Sequence, residues 1–383
     1  MGGNRRVKIS HVHGICVRND AISNSIRDEV RWLLQEGHDA KLFGYACDYP
    51  DLPFIPVGSP RDLYLHPHLQ ASDVVILHFG VYYPLFDVLP VVPARARRVV
   101  VFHNITPKAF VAPSNHAVID RSFLQLSNIA FADEVWCVSQ TNLDVLRGAG
   151  IQTPATVLPI AVHGDLSLPD RKPSACDGVI RLLFVGRFVR SKGPLELLSA
   201  LRQLLRENGD LRLRLDMVGN LQFSDANMVA QVEEARAGLH RQFGERARVM
   251  IHGNADDDRK HQLFLESDLF VLPTYHEGFC VPVVEAFASG CRVIAYDNSN
   301  MPSICGGLGT LVPTGDAVAL MRAIADVAAE VGDPAWHDAG GFQAYASRAS
   351  AYAARFSPAR TKARFLRSVE RAVLQRRRVP AEA

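Results

Sequence analysis

Short, almost unbroken apolar runs alternate with helix-length amphipathic segments along nearly the whole chain. The predicted strands are 7–12, 40–43, 74–78, 98–103, 134–138, 180–185, 212–218, 248–252, 268–272 and 292–296. Most lack polar alternation, as expected of parallel strands covered on both faces. Between them the spacing predicts helices. Ile22, Ile26, Val30, Leu33 and Leu34 repeat at three and four, with Gly37 as a stop. Leu197, Leu198, Leu201, Leu204 and Leu205 do the same after Pro194, a residue suited to a first helical turn. Such alternation implies a doubly wound α/β architecture.

The alternation occurs twice, once up to about residue 159 and again from about residue 180. At about 150 residues per domain, a chain of 383 residues accommodates two. The polar, proline-containing stretch 166–178 has no period and reads as a linker. The expected division is 1–165, linker 166–178, 179–350, and a C-terminal helix within 351–383. Ser357 and Pro358 suit the opening of that helix as cap and first residue. Phe356, Phe365, Leu366, Val369 and Val373 give it a partial apolar stripe, so it is expected to pack along the domain seam with its arginines in water.

Apolar residues make up 48% of the chain, enough for a sizeable core and too many for a disordered one. A net charge of +2, with no basic patch interleaved with aromatics, argues against a nucleic-acid partner. The seven cysteines are scattered without CxxC spacing, which suits reduced thiols in a reducing compartment. The run 74–81 is broken by His78 and is far short of the roughly 20 residues of a membrane span. The expected location is cytoplasmic, with a weak peripheral contact at the inner face of a membrane left open.

Two segments carry chemistry. The first, 275–290, leads from the strand 268–272 into a helix whose first turn holds Pro282. The N–H groups of Gly278, Phe279, Cys280 and Val281 then point out of the helix start, where the helix dipole favours phosphate. Glu277 precedes this turn and Glu285 follows one turn in. Carboxylates there can accept bonds from sugar hydroxyls. On spacing alone, the plainer reading is that both complement the helix N-terminus. The second segment, 181–193, is a strand, a turn at Gly186, then Arg187, Arg190 and Lys192 before Gly193. In a doubly wound sheet this loop lies at the carboxyl edge, where ligands bind. Arg187 and Lys192 suit a diphosphate; Arg190 suits an exposed basic loop.

Together these segments resemble the donor half of retaining GT-B glycosyltransferases of the glycogen-synthase-like family 4 group. Gly186-Arg187 and Lys192-Gly193 match that group's first loop, and Glu277 and Glu285 its pair of glutamates. Val218-Gly219, His252-Gly253, Ala286, Gly290 and the run 306–309 fit as well. The N-terminal half resembles a bacterial branch through His103-Asn104-Ile105-Thr106-Pro107 and through Asp20-Ala21-Ile22. Asn19 stands where that branch has glycine. The run 132–139 resembles the strand that closes the N-terminal domain.

The resemblance implies a GT-B fold, two Rossmann-like domains facing a central cleft, with the acceptor on the N-terminal domain and the nucleotide sugar on the C-terminal one. It implies transfer of a hexosyl group, with retention, to a saccharide, lipid-linked or small-metabolite acceptor. Arg187 and Lys192 would neutralise the donor diphosphate. The backbone at 278–281 would hold diphosphate and sugar, Glu277 would face the sugar, and Glu285 would bind the ribose. His103 would lie near the transferred sugar. Gly186, Gly219 and Gly253 complete the donor set, and Asp20 and Asn104 are acceptor-side candidates. No cofactor besides the sugar nucleotide, and no metal, is expected. Asp256, Asp257 and Asp258 read as a solvated helix start, and His11, His13 and His78 have no cysteine pair or carboxylate close by in sequence. A sugar phosphorylase, a nucleotide-sugar epimerase and a non-catalytic binding protein share the same architecture and stay as alternatives.

Overall fold

The computed structural model describes residues 6–164, 168 and 170–376, which divide into two units. Unit 1 holds the described residues of 6–107, 114–161 and 358–376; unit 2 holds those of 108–113 and 162–357.

Among the described residues of unit 1 the strands are β1 (Lys8–Val12), β2 (Ile15–Cys16), β3 (Asp39–Gly44), β4 (Ala46–Cys47), β5 (Phe54–Pro56), β6 (Val74–Phe79), β7 (Arg97–Phe102), β8 (Glu134–Cys137) and β9 (Ala155–Val157). A parallel sheet runs β5-β3-β1-β6-β7-β8-β9, and β2 pairs with β4 apart from it. Every residue of β6 and of β8 is buried, as their mainly apolar sequences favour, and His78 and Glu134 are buried with them. The helix Ala21–Gln35 is capped by Asp20, whose carboxylate accepts from Ser23 N (2.9 Å) and Ser23 Oγ (2.7 Å). Such a cap contributes about 1 kcal/mol.

The C-terminal helix, Pro358–Arg376, is part of unit 1. Phe365 is buried, its ring 5.9 Å from that of Trp32 and 5.8 Å from that of Trp136. Arg371 reaches Glu134 at 2.6 Å and Lys362 reaches Glu36 at 2.9 Å. The expected boundary at 351 is displaced. Residues 351–353 finish the helix Gly341–Ala353 of unit 2, and a short turn, Ala354–Phe356, follows. The break comes at Ser357, which is extended (ψ 151°) because the proline after it disfavours helical backbone.

In unit 2 the strands are β10 (Ile180–Val185), β11 (Leu213–Val218), β12 (Ala247–Gly253), β13 (Leu269–Leu272), β14 (Arg292–Asp297) and β15 (Thr310–Pro313). Their order is β12-β11-β10-β13-β14-β15, all parallel. Of the stretch expected as a linker, 165–167 and 169 lie outside the described residues. The rest is built into unit 2. Lys172 is buried, and its ammonium donates to the carbonyls of Phe264 (3.2 Å), Leu265 (3.0 Å) and Ser289 (2.7 Å). These carbonyls lie at the C-terminal ends of two helices, where orphan carbonyls and the dipole favour a cation. Ser174 Oγ meets Asp268 Oδ1 at 2.5 Å.

Phe365 is the anchor of the C-terminal helix. Phe365→Ala is expected to destabilise unit 1 by about 3–5 kcal/mol, read from chemical denaturation followed by tryptophan fluorescence. A loss under about 1 kcal/mol would contradict this packing.

Candidate functional site

In unit 2 the chain leaves β10 toward β11 on one side, while β13 lies on the other. Where strand order reverses in this way, the loops at the carboxyl ends separate and open a crevice. The loop after β10 and the loop after β13 flank this point.

Two backbone contacts hold the loops. Gly193 has φ +66°, and a Cβ there would stand 2.2 Å from the Pro273 carbonyl oxygen. A Cβ on Gly219 would stand 2.3 Å from the Gly186 oxygen. Only glycine fits at either position. The Ser191 carbonyl then accepts from Tyr275 N (2.8 Å) and Thr274 Oγ1 (2.9 Å), locking one loop to the other. Gly219 N donates to Gly253 O (3.2 Å), which draws the end of β12 into the same edge.

This frame sets the side chains. Lys192 Nζ meets Glu277 Oε1 at 2.5 Å, with Glu277 only 8% exposed. Ser299 Oγ accepts from Glu277 N at 2.9 Å. Arg187 is exposed, and its guanidinium has no hydrogen bond or ion pair among the described residues. Cys280, the residue before the helix Val281–Ala288, has φ +81°, a conformation that costs a non-glycine residue about 1–3 kcal/mol. Asn300 Nδ2 holds the turn by donating to Phe279 O (2.8 Å). As a result the N–H groups of Gly278, Phe279, Cys280 and Val281 have no acceptor among the described residues. Four unanswered donors at a helix start suit an anion, and the loop that carries the unpaired Arg187 guanidinium flanks the same switch point, which makes this a candidate anion site.

Glu285, on the same helix, pairs with Lys260 Nζ at 3.0 Å, and Lys260 also meets Asp257 at 3.2 Å. Burial pulls the Lys260 ammonium down, but the two carboxylates outweigh it and leave Lys260 above the ordinary lysine range. Asp257 and Asp258 open the helix Asp257–Glu266 behind the capping Asp256. Gly186, Arg187, Lys192, Gly219, Glu277 and residues 278–281 thus gather at one switch point. Gly253 joins through Gly219, and Glu285 lies one helical turn along.

The remaining candidates belong to unit 1. Asp20 is committed to its cap. Asn104 is buried with φ +76°; its amide donates to Asn142 Oδ1 (3.1 Å) and its carbonyl accepts from Ile105 N (2.8 Å). Both side chains therefore hold local structure. Asn19 has φ +60°, so asparagine here adopts the backbone that glycine would. His103 Nε2 lies 3.1 Å from His78 Nδ1. Burial, with His78 and His13 nearby, holds His103 well below the usual histidine range, so its imidazole is neutral near pH 7.

Behind His103 lies a cluster that sequence spacing misses. His11 on β1 and His78 on β6 both face Glu29 of the helix Ala21–Gln35. The carboxylate that the histidines lack in sequence is supplied by the fold.

Residues 170–331 match the model of the family described as glycosyl transferases group 1. The matched residues all lie in unit 2. D-inositol 3-phosphate glycosyltransferase of Nocardia farcinica is 33% identical over 139 residues, 36% of this chain and 28% of that protein. Lipopolysaccharide 1,2-N-acetylglucosaminetransferase of Salmonella typhimurium is 32% identical over 117 residues, 30% of this chain and 29% of that protein. The matched stretch spans under a third of either relative. Sucrose-phosphate synthase from Thermosynechococcus elongatus has the same fold, with TM-score 0.74 over 97% of this chain and 100% of that one, at 18% identity. A glycosyltransferase from Rickettsia africae gives TM-score 0.72 over 97% and 99%, also at 18% identity. The fold class is GT-B, and the candidate anion site lies within the residues that match the group 1 model.

The glycine contacts predict a contrast. Gly193→Ala must separate the two loops and is expected to cost at least about 2 kcal/mol. Gly148→Ala, at a helix end with open space around it, should lie within about 1 kcal/mol of neutral. Thermal denaturation of the two variants compares them directly.

Proposed function

We propose that this chain is a nucleotide-sugar-dependent glycosyltransferase that moves a hexosyl group with retention of configuration. The bond between the sugar's anomeric carbon and the diphosphate oxygen breaks. A bond from that carbon to an acceptor oxygen forms on the same face, and the acceptor proton passes to the departing diphosphate. The acceptor is a hydroxyl of a saccharide, a lipid-linked saccharide or a small metabolite.

One observation carries the reading: the unpaired Arg187 guanidinium shares the switch point with the four free N–H groups of 278–281. A diphosphate offers the acceptors they lack. In this reading Arg187 and Lys192 stabilise the negative charge that grows on the leaving diphosphate, so the protein's cations do the work a bound divalent ion would do elsewhere. Lys192 has two further N–H donors besides the one facing Glu277. Glu277, tied down by Lys192 and Ser299, meets the sugar hydroxyls. Glu285 meets the ribose. Unit 1 binds the acceptor, and neutral His103 there can offer a hydrogen bond rather than a charge. The match of 170–331 to group 1 and the names of the similar proteins support the reaction class.

The test is release of nucleoside diphosphate from a panel of UDP-, GDP- and ADP-sugars with candidate acceptors. Arg187→Ala is expected to lower kcat about 10²–10³-fold, the effect of removing one preorganised donor from a developing anion. Glu285→Ala is expected to weaken donor binding about 10-fold or more, the worth of a charge-assisted hydrogen bond. Full binding and turnover in both variants would contradict the proposed site. Phosphate-dependent glycoside cleavage without any nucleotide would replace the reaction.

A further inference from the structure

The geometry points to a divalent transition-metal site of zinc type in unit 1, formed by His11, Glu29 and His78. The inference is independent of the transfer reaction.

The three residues come from β1, β6 and the helix Ala21–Gln35, and all are buried. Glu29 Oε2 lies 3.3 Å from His78 Nε2 and 3.8 Å from His11 Nδ1, and the three donor atoms fall within 4.8 Å of one another. Donors around a tetrahedral zinc ion sit about 3.3–3.4 Å apart, given bonds of about 2.0–2.1 Å. One pair already has that spacing, and the others need to close by a few tenths of an ångström to about 1.5 Å.

The hydrogen bonds around the cluster go to the opposite atoms. Ser25 Oγ donates to Glu29 Oε1 at 3.0 Å, and His78 Nδ1 is paired with His103 Nε2 at 3.1 Å. The inward atoms, Glu29 Oε2, His78 Nε2 and His11 Nδ1, have no hydrogen-bond partner. For Glu29 and His78 this is the arrangement of a metal centre, where an outer partner orients the ligand and leaves its lone pair aimed inward; His11 Nε2, like its Nδ1, has no hydrogen-bond partner. Buried polar atoms without partners are rare in folded proteins and call for an occupant. Two imidazoles and one carboxylate suit zinc and its neighbours, and suit neither calcium nor magnesium, which prefer oxygen. A small cavity of about 10 Å³ borders Ser25, Asp28, Glu29 and Trp32.

The ion would clamp two central strands to the first long helix. It would also set a tautomer. With His78 Nε2 on the metal, the His78 proton sits on Nδ1 and donates to His103 Nε2.

The full chain, stripped with a strong chelator, is titrated with Zn²⁺ by calorimetry and with Co²⁺ by visible absorption. One equivalent per chain is expected, with ligand-field bands of a four- or five-coordinate Co²⁺ and a higher Tm in the loaded protein. Glu29→Gln and His11→Gln, checked for folding by circular dichroism, should each weaken binding at least 10-fold. In the unsubstituted chain, Zn²⁺ should shift the imidazole ¹⁵N resonances of His11 and His78, a readout that needs no variant to fold. Absence of stoichiometric binding, or one bound equivalent that leaves those resonances unmoved, would overturn the site. So would undiminished binding by a folded Glu29→Gln.

Discussion

The Pro273 carbonyl oxygen occupies the space where any residue but glycine at 193 would place its Cβ. That contact sets how closely the loop after β10 meets the loop after β13. Because it joins backbone to backbone, no rotamer change can relax it, and a close-packed surround has little room to yield. The same two loops meet through Ser191 with Tyr275 and Thr274 and through Lys192 with Glu277. The parallel Gly219–Gly186 contact fixes the other wall. The strained turn at Cys280 then leaves four N–H groups facing outward. Side chains supply the charge of the candidate site, but the backbone supplies its shape.

Much of this was legible in the residues. All ten strands expected from apolar runs are present, because most are parallel strands buried on both faces, which favours a nearly continuous apolar run. The strands that escaped, Ile15–Cys16, Ala46–Cys47, Phe54–Pro56, Ala155–Val157 and Thr310–Pro313, have two to four residues each and lie apart from the main sheets or at their edges. Half-exposed pieces of that length have no period to read. The candidate site of unit 2 was legible because a strand, a glycine turn and a helix start are contiguous in sequence, and the sheet order brings two such units together.

Other features were hidden because they depend on distant partners. Lys172 stands in a polar, proline-containing stretch that reads as a linker, yet its ammonium closes the ends of two helices nearly a hundred residues or more away in sequence. Asn104 and Asp20 look free in sequence and are occupied in the fold. Glu29 sits 18 residues after His11 and 49 before His78, so only the packing of a helix on adjacent strands reveals the three together. The two units thus use polar groups in opposite ways. Unit 2 leaves donors open at a sheet edge, whereas unit 1 turns a carboxylate and two imidazoles inward.

The central claim is that a nucleoside diphosphate seats on the backbone at 278–281. Amide resonances of a ¹⁵N-labelled, deuterated chain, followed while UDP, GDP or ADP is added, test it most directly. The account predicts saturable shifts and slowed exchange at Gly278, Phe279, Cys280 and Val281, as new hydrogen bonds form, together with shifts at Arg187. Saturable nucleotide binding that leaves these amides unmoved, or no binding by any of the three, would contradict it.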